Sequence, residues 1–175
     1  MEVRRLPLDG PLLVIPTVHR DARGAFVEVW QHGRYAAAGI PDAFVQDNQS
    51  TSARGTIRGL HLQTGQSKLV RVARGRVFDV AVDLRAGSPT FGQWTSVTLD
   101  AEHHHQLYLP AGFAHGIQAL TDADVVYKVS AAYDPAREIR VAWDDPDIGV
   151  AWPLPPGPLS SADASAPTLA SLGLQ

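Results

Sequence analysis

Short segments in which apolar and polar residues alternate, each bounded by Gly or Pro, constrain this fold most. Segment 77–85 is the clearest example, because its side chains separate onto two faces. One face carries Phe78, Val80, Val82 and Leu84, and the other carries Asp79, Asp83 and Arg85. A period of two residues is that of a β-strand, and a polar face opposite an apolar one predicts a half-buried strand.

Further segments with strand character follow at regular spacing: 68–73, 94–99, 106–110 and 123–130. Turn signals separate them, such as Arg74-Gly75 and the run 87–92. Helix is scarce: residues 34–38 form a short candidate before the stop residue Gly39, and a second candidate lies near 168–172. The pattern predicts a mainly β, antiparallel sandwich or barrel with a few short helices. We expect one domain over 1–175, with a core from about 10 to 152 and an irregular tail over 153–175.

Composition excludes several classes of function. A net charge of -3 and a pI near 6.1 argue against binding nucleic acid or an anionic membrane. No apolar run reaches the roughly 18 residues of a membrane span. The N-terminus has no signal-peptide pattern, and the chain contains no cysteine, so disulfides and thiolate ligands are excluded. We therefore expect a cytoplasmic protein.

The segment Arg58-Gly-Leu-His61-Leu-Gln63 places an arginine and a histidine in an extended, apolar stretch. An imidazole exchanges protons near neutral pH. A histidine on a strand is more often a structural residue, so His61 needs partners elsewhere in the chain before a catalytic role is favoured. In a regular strand Arg58 and His61 point to opposite faces. We predict a bulge or bend at Gly59, which would let both side chains reach one pocket.

The other histidines bear on whether the chain binds a metal. The run His103-His104-His105 is discounted, because adjacent residues on a strand cannot converge on one ion. The segment Pro110-Ala-Gly-Phe-Ala-His115-Gly116 resembles the second motif of cupin barrels, which implies a cupin-type jelly roll. The first metal motif of cupins has a His-x-His pair, whereas this chain has His61-Leu-Gln63. His61 and His115 alone rarely hold an ion, so we expect neither a metal nor any other cofactor.

Several longer motifs together are more specific than any single one. They are Gln46-Asp-Asn48, Arg58-Gly-Leu-His61, Lys68-Leu-Val70, Phe78-Asp-Val-Ala-Val-Asp83, Pro110-Ala-Gly-Phe-Ala-His115-Gly116, Tyr127-Lys128, Tyr133-Asp-Pro135, Glu138 and Trp143-Asp-Asp-Pro146. In this order they resemble the dTDP-4-dehydrorhamnose 3,5-epimerase (RmlC-type) family of deoxysugar-nucleotide epimerases. The resemblance runs from about Arg23 to Asp163.

The resemblance implies an isomerase whose substrate is a dTDP-4-keto-6-deoxyhexose. Carbons 3 and 5 flank the ketone, so either can lose a proton to form an enolate. By the same resemblance His61 is the base, Asp163 orients it, Tyr127 donates the proton on the opposite face, and Lys68 stabilises the enolate oxygen. Whether carbon 3, carbon 5 or both are inverted stays open.

The resemblance also implies a set of substrate-binding residues and a homodimer. Arg23 and Arg58 are expected at the diphosphate, and the remaining members of the set are Glu28, Gln46, Asn48, His115, Tyr133 and Glu138. In a homodimer Arg23 and Glu28 would serve the neighbouring subunit's site. Two departures from the family pattern affect nucleotide binding: the loop 64–67 is short, and Ala162 stands where a basic residue is usual.

Three alternatives remain open from the sequence. They are a metal-dependent cupin oxygenase, a non-catalytic sugar-nucleotide-binding homologue, and a ketoisomerase that moves the carbonyl between carbons 3 and 4. The matched acid and base, Tyr127 and His61, disfavour the binding homologue, because binding needs neither.

Overall fold

Two antiparallel sheets face each other in the computed structural model, which describes residues 1–174. The strands are β1 (Glu2–Arg5), β2 (Leu12–Ile15), β3 (Val18–Asp21), β4 (Gly24–Val27), β5 (Gln46–Ser52), β6 (Ile57–Gln63), β7 (Lys68–Arg74), β8 (Arg76–Asp83), β9 (Trp94–Asp100), β10 (Gln106–Leu109), β11 (Phe113–Ala119), β12 (Ala123–Val129) and β13 (Glu138–Arg140). The larger sheet has the order β1-β2-β10-β7-β12-β5 and the smaller one β13-β6-β11-β8-β9. Strands β3 and β4 form a separate hairpin. This is the mainly β, antiparallel jelly roll expected from the sequence.

Side chains from the inner faces of both sheets form the central core. The larger sheet contributes Val70, Val72, Leu107, Leu109, Ala123 and Val125, and the smaller one contributes Val77, Ala81, Leu99, Phe113 and Ile117. These positions alternate along each strand, as a sheet with one face on a core requires.

The outer faces of the sheets are also covered, and this corrects the sequence interpretation of β8. Phe78, Val80, Val82 and Leu84 do share one face, but it packs outward against residues near the C-terminus, including Ile148 and Leu169. The opposite face points into the barrel, where Asp79 and Asp83 are fully buried. The strand is therefore buried on both faces rather than half-buried, because C-terminal segments cover the smaller sheet.

Helix α1 (His32–Ala37) covers the outer face of the larger sheet through Tyr35. The helix was predicted over 34–38, and it begins two residues earlier because the Gln31 side chain accepts a hydrogen bond from the backbone N–H of Arg34. Gly39, with φ of 95°, follows the helix as expected. Among residues 1–174, no helix combines the length and the apolar character needed to cross a membrane.

The C-terminal segment positions part of the site. The backbone N–H of Gly157 donates to the carbonyl of Gly55 at 2.9 Å, and that of Ile57 donates to the carbonyl of Pro158 at 3.4 Å. Two short helices follow: α2 (Ser161–Ala164), which the sequence did not predict, and α3 (Leu169–Leu172), which it did. Residue 175 of the predicted tail lies outside the described residues. The segment thereby runs past the start of β6 and brings α2 against that strand.

Candidate active site

A bulge in β6 lets Arg58 and His61 face the same pocket. His61 pairs with His115 on β11, and Arg58 pairs with Ile117, so three steps along β6 match two along β11. Gly59 lies in the bulge with φ of 121°, and a Cβ there would come within 2.6 Å of the His115 carbonyl oxygen. The predicted bulge is confirmed, and glycine is required there by both its backbone conformation and the lack of space.

A pocket of about 460 Å³ opens between the two sheets. It is lined by Ser50, Arg58, His61, Lys68, His115, Ile117, Val125, Tyr127, Arg140, Ser160, Ala162 and Asp163. Six of the residues singled out from the sequence meet here: His61, Asp163, Lys68, Tyr127, Arg58 and His115. They come from strands β6, β7, β11 and β12 and from helix α2, so only the folded chain brings them together.

His61 and Asp163 form a hydrogen-bonded dyad. Nε2 of His61 lies 2.6 Å from Oδ1 of Asp163, whose side chain is only 5% exposed. Asp163 lies in α2, where the Ser160 hydroxyl caps the helix by accepting from the Asp163 N–H at 3.0 Å. Burial opposes ionisation of Asp163, but hydrogen bonds from His61 and Ser160 and the nearby charge of Arg140 outweigh it and lower its pKa. The ionised carboxylate can therefore hold the imidazole and stabilise its protonated form.

The buried amine of Lys68 lies next to the backbone of His61 in the dyad. Its Nζ donates a hydrogen bond to the backbone carbonyl of His61 at 3.3 Å. Burial lowers its pKa to about 8, although the negative charges of Asp79 and Glu138 oppose that shift. At neutral pH the amine is thus protonated but poorly solvated, and a new negative charge in the pocket would stabilise it.

Tyr127 enters the pocket from the larger sheet, whereas His61 belongs to the smaller one. Burial raises the pKa of its phenol, with Glu138 adding to the shift and Arg58 opposing it. The phenol therefore carries its proton at neutral pH. An acid and a base that come from facing sheets suit a reaction in which a proton leaves one face of a substrate and returns to the other.

His115 has a buried carboxylate partner that the sequence analysis missed. Its Nε2 lies 2.8 Å from Oδ1 of Asp79, which is fully buried. Oδ2 of Asp79 is buried without a hydrogen-bond partner among the described residues. The sequence pattern places Asp79 on the polar face of a half-buried strand, whereas the structure buries that face. The signal that could have revealed it is that Asp79 alternates with Val77 and Ala81, which lie in the central core.

Four of the predicted binding residues form a connected group beside the pocket. Nε2 of Gln46 donates to Oδ1 of Asn48 at 2.8 Å, and Oε1 of Gln46 accepts from the Tyr133 N–H at 3.2 Å. The Tyr133 hydroxyl in turn donates to Oε2 of Glu138 at 3.3 Å. Asn48 pairs in register with Tyr127. Tyr133 is 56% exposed, so its ring is free to stack on a ligand.

Arg23 and Glu28, in contrast, do not line the pocket. Arg23 lies in the β3–β4 hairpin, where its side chain is 91% exposed and pairs with Asp21. Glu28 follows the hairpin and pairs with Arg34 at 3.0 Å. The same hairpin exposes Phe26, whose side chain is 70% accessible. Within one chain, these two residues and the pocket are not brought together.

Arg140 and Ser160 line the pocket and were not singled out from the sequence. Ser160 caps α2, as described above. Arg140 follows Glu138 by two residues on β13 and pairs in register with His61. Ala162, the position where the family pattern usually has a basic residue, also lines the pocket.

Within residues 1–174, no group of three or more His, Asp or Glu side chains is arranged to hold a metal ion. The run 103–105 lies in the turn between β9 and β10 and not on a strand, which corrects the placement expected from the sequence. His103 instead pairs with Asp100, Nδ1 to carboxylate, at 2.9 Å.

Comparison with known proteins identifies the family of this chain. Residues 5–171 match the family model of dTDP-4-dehydrorhamnose 3,5-epimerase. The enzyme of that name from Methanothermobacter thermautotrophicus is 49% identical over 84% of this chain and 81% of its own length. The chain belongs to the dTDP-4-dehydrorhamnose 3,5-epimerase family.

Two solved members of the family share the fold closely. The Legionella pneumophila enzyme RmlC, crystallised with dTDP-4-keto-L-rhamnose, is 44% identical with a TM-score of 0.93, covering 97% of this chain and 93% of its own. ChmJ, a 3'-monoepimerase from Streptomyces bikiniensis crystallised with dTDP-quinovose, is 41% identical with a TM-score of 0.90, covering 97% and 90%. The family thus includes both 3,5-epimerases and a 3'-monoepimerase.

Proposed function

We propose that this protein epimerises a dTDP-4-keto-6-deoxyhexose at both carbon 3 and carbon 5, in the biosynthesis of a deoxysugar. The observation that carries the proposal is the His61–Asp163 dyad, 2.6 Å between Nε2 and Oδ1, in one pocket with Tyr127 and Lys68. The curated relatives that are 44% to 49% identical to this chain carry the name of a 3,5-epimerase, which supports inversion at both carbons.

In the proposed reaction His61 removes the proton from carbon 3 or carbon 5. The electron pair of that C–H bond moves toward the ketone and leaves a negative charge on the carbon 4 oxygen. Asp163 stabilises the imidazolium that forms, and the ammonium of Lys68 stabilises the enolate oxygen. Tyr127 then delivers its proton to the opposite face of the carbon, which inverts the centre. Exchange with solvent returns the proton to the phenolate and removes it from the imidazolium.

The nucleotide part of the substrate would bind along the rim of the pocket. Arg58 lines the pocket and offers the guanidinium geometry that suits a diphosphate. The connected group of Gln46, Asn48 and Tyr133 offers amides for hydrogen bonding and an exposed ring for stacking on thymine. His115 and Glu138 complete the proposed set at the sugar end.

Arg23 and Glu28 are proposed to act in the site of a second copy, in a homodimer. Arg23 lies in an exposed hairpin that carries the apolar Phe26 outward, Glu28 directly follows that hairpin, and neither lines the pocket of its own chain. If Arg23 of one copy acts in the site of the other, a variant without Arg23 should still form the dimer but bind the nucleotide more weakly than the wild type. Sedimentation analysis of the wild type tests the dimer itself. The cytoplasmic location expected from the sequence stays a prediction.

Deuterium wash-in tests the proposal directly. The enzyme is incubated in D2O with dTDP-4-keto-6-deoxyglucose, and NMR follows label at carbons 3 and 5. Label at both carbons supports the proposal, label at one restricts the activity to a single epimerisation, and no label refutes it for this substrate. We expect His61→Ala to abolish exchange, and His103→Ala, a histidine outside the pocket, to leave it unchanged.

The same assay assigns the acid. Tyr127→Phe is expected to retain part of the exchange, because the base is intact, and to lose the epimerised product. If Tyr127→Phe forms epimerised product at the wild-type rate, Tyr127 is not the proton donor.

A further inference from the structure

Arg140 links two carboxylates beside the dyad. Its Nε and Nη2 donate to Oε2 of Glu138 at 3.0 and 2.8 Å. Its Nη1 lies 3.6 Å from Oδ1 of Asp163, the same oxygen that contacts Nε2 of His61. The guanidinium therefore spans the space between a proposed binding residue and the proposed catalytic pair.

Strand pairing puts Arg140 directly beside the base. Arg140 and His61 are partners in the β13–β6 ladder, and His115 is the partner of His61 on the other side. Directly opposite residues share a face of a sheet, so these three side chains point the same way. The flanking residues Ile139 and Val141 pack into the outer cluster, which holds β13 in this orientation.

We propose that Arg140 is a positioning residue of the dyad, which clamps Glu138 and Asp163 and places a fixed positive charge next to His61. The inference rests on the proposed function for its catalytic meaning. Its consequence is that Oδ1 of Asp163 stays aimed at the imidazole of His61. Arg140 is not proposed to contact substrate.

Several other charged and titratable side chains surround the His61–Asp163 dyad together with Arg140. The titratable and charged groups facing the dyad are Arg58 on β6, Lys68 on β7, Asp79 on β8, His115 on β11, Tyr127 on β12, and Glu138 and Arg140 on β13. Of these, Arg140 is the cation in contact with Asp163. Its removal takes a positive charge from the dyad and also leaves Glu138 without its guanidinium partner.

The contacts show why the effect falls on Asp163. Nη1 of Arg140 and Nε2 of His61 lie 3.6 and 2.6 Å from the same oxygen, Oδ1 of Asp163. Without the guanidinium, this carboxylate loses the side chain that holds it from the β13 side.

The test compares Arg140→Met, Arg140→Lys and the control Arg137→Met, which removes an exposed arginine three residues earlier. NMR records the proton in the His61–Asp163 hydrogen bond, and kcat and KM are measured at pH 7. For Arg140→Met we expect the resonance of that proton to shift or disappear, because Asp163 Oδ1 is no longer held toward the imidazole. We expect kcat to fall about 3- to 10-fold, with KM changed less than about twofold.

Arg140→Lys restores the charge and should return kcat to within about twofold of wild type, and Arg137→Met should change neither kcat nor the NMR resonance. Two results overturn the proposal. One is an unchanged resonance in a folded Arg140→Met protein, and the other is a raised KM with an unchanged kcat, which would make Arg140 a substrate ligand. The NMR measurement needs no turnover, so it tests the contact of Arg140 with the dyad even if the wild type proves inactive on this substrate.

Discussion

Replacing Lys68 by Met should make the protein more stable at neutral pH while removing its activity. Lys68 is buried, and its amine has one hydrogen bond, to the backbone carbonyl of His61. A protonated amine in such a site is held there at a cost in folding free energy. Methionine has a similar length and no charge, so it fills the same space without that cost.

The magnitude follows from the pKa of Lys68, which burial lowers from 10.5 to about 8. Each pKa unit corresponds to about 1.4 kcal/mol, so keeping the amine protonated in the fold costs about 3 kcal/mol. The lost hydrogen bond to the His61 carbonyl reduces this gain in the free energy of unfolding by about 1 kcal/mol. We therefore expect Lys68→Met to raise the free energy of unfolding by about 2 kcal/mol at pH 7.

The pH dependence gives the sharper test. Between about pH 8 and pH 10.5 the unfolded wild type binds a proton at Lys68 that the folded protein does not, so the contribution of Lys68 to stability improves as pH rises. Below about pH 8 both states are protonated, and the full cost applies. The advantage of Lys68→Met should therefore be largest at or below pH 7 and should disappear near pH 10.5.

The assay is urea unfolding of both proteins at pH 7 and at pH 10, at one fixed protein concentration. The chain has two lysines, so Lys128→Met is a matched control. Lys128 pairs with Asp47 on the outer surface of the sheet, and its loss should change stability by no more than about 0.5 kcal/mol at either pH. A Lys68→Met protein that is less stable than wild type at pH 7, or equally favoured at both pH values, would refute the reasoning.

Three further predictions concern the site. Gly59→Ala should lower the free energy of unfolding, measured in urea titrations, by more than about 2 kcal/mol. The reason is that φ at this position is 121° and the new Cβ would lie 2.6 Å from the His115 carbonyl oxygen. A decrease of less than about 0.5 kcal/mol would contradict this. Asp163→Asn should lower kcat on the order of 10²- to 10⁴-fold with little change in thermal stability, and wild-type turnover would remove Asp163 from the mechanism. For the wild type, kcat/KM should fall above about pH 8 as Lys68 loses its proton, and a flat profile to pH 9.5 would mean that its charge is not used.

Local sequence patterns were enough to predict strands β7, β8, β9, β10 and β12 and the antiparallel class of the fold. The predicted segment 106–110 corresponds to β10 (Gln106–Leu109), and the predicted segment 123–130 corresponds to β12 (Ala123–Val129). Strand periodicity is a local property, because it depends only on which way successive side chains point. The bulge at Gly59 was predictable for the same reason. Arg58 and His61 would point to opposite faces of a regular strand, so a bulge is needed for both side chains to reach one pocket.

Burial and most contacts between distant residues depend on the whole fold, and local sequence patterns did not predict them. Alternation in β8 predicts an exposed polar face, but that face points into the barrel and makes Asp79 the partner of His115. Helix α2, only four residues long, has no periodic signal of its own and exists where the Ser160 cap and packing against β6 support it.

The sequence by itself therefore determined five of the strands in the described residues, the bulge and, through ordered motifs, the residues His61, Tyr127, Lys68 and Asp163 as candidates for chemistry. Only the tertiary structure decided that Asp163, 102 positions further along the chain, lies 2.6 Å from His61, and that Arg140 stands beside both. The physical reason is that local periodicity fixes the direction of a side chain. Its partner and its solvation depend on which distant segments cover that face.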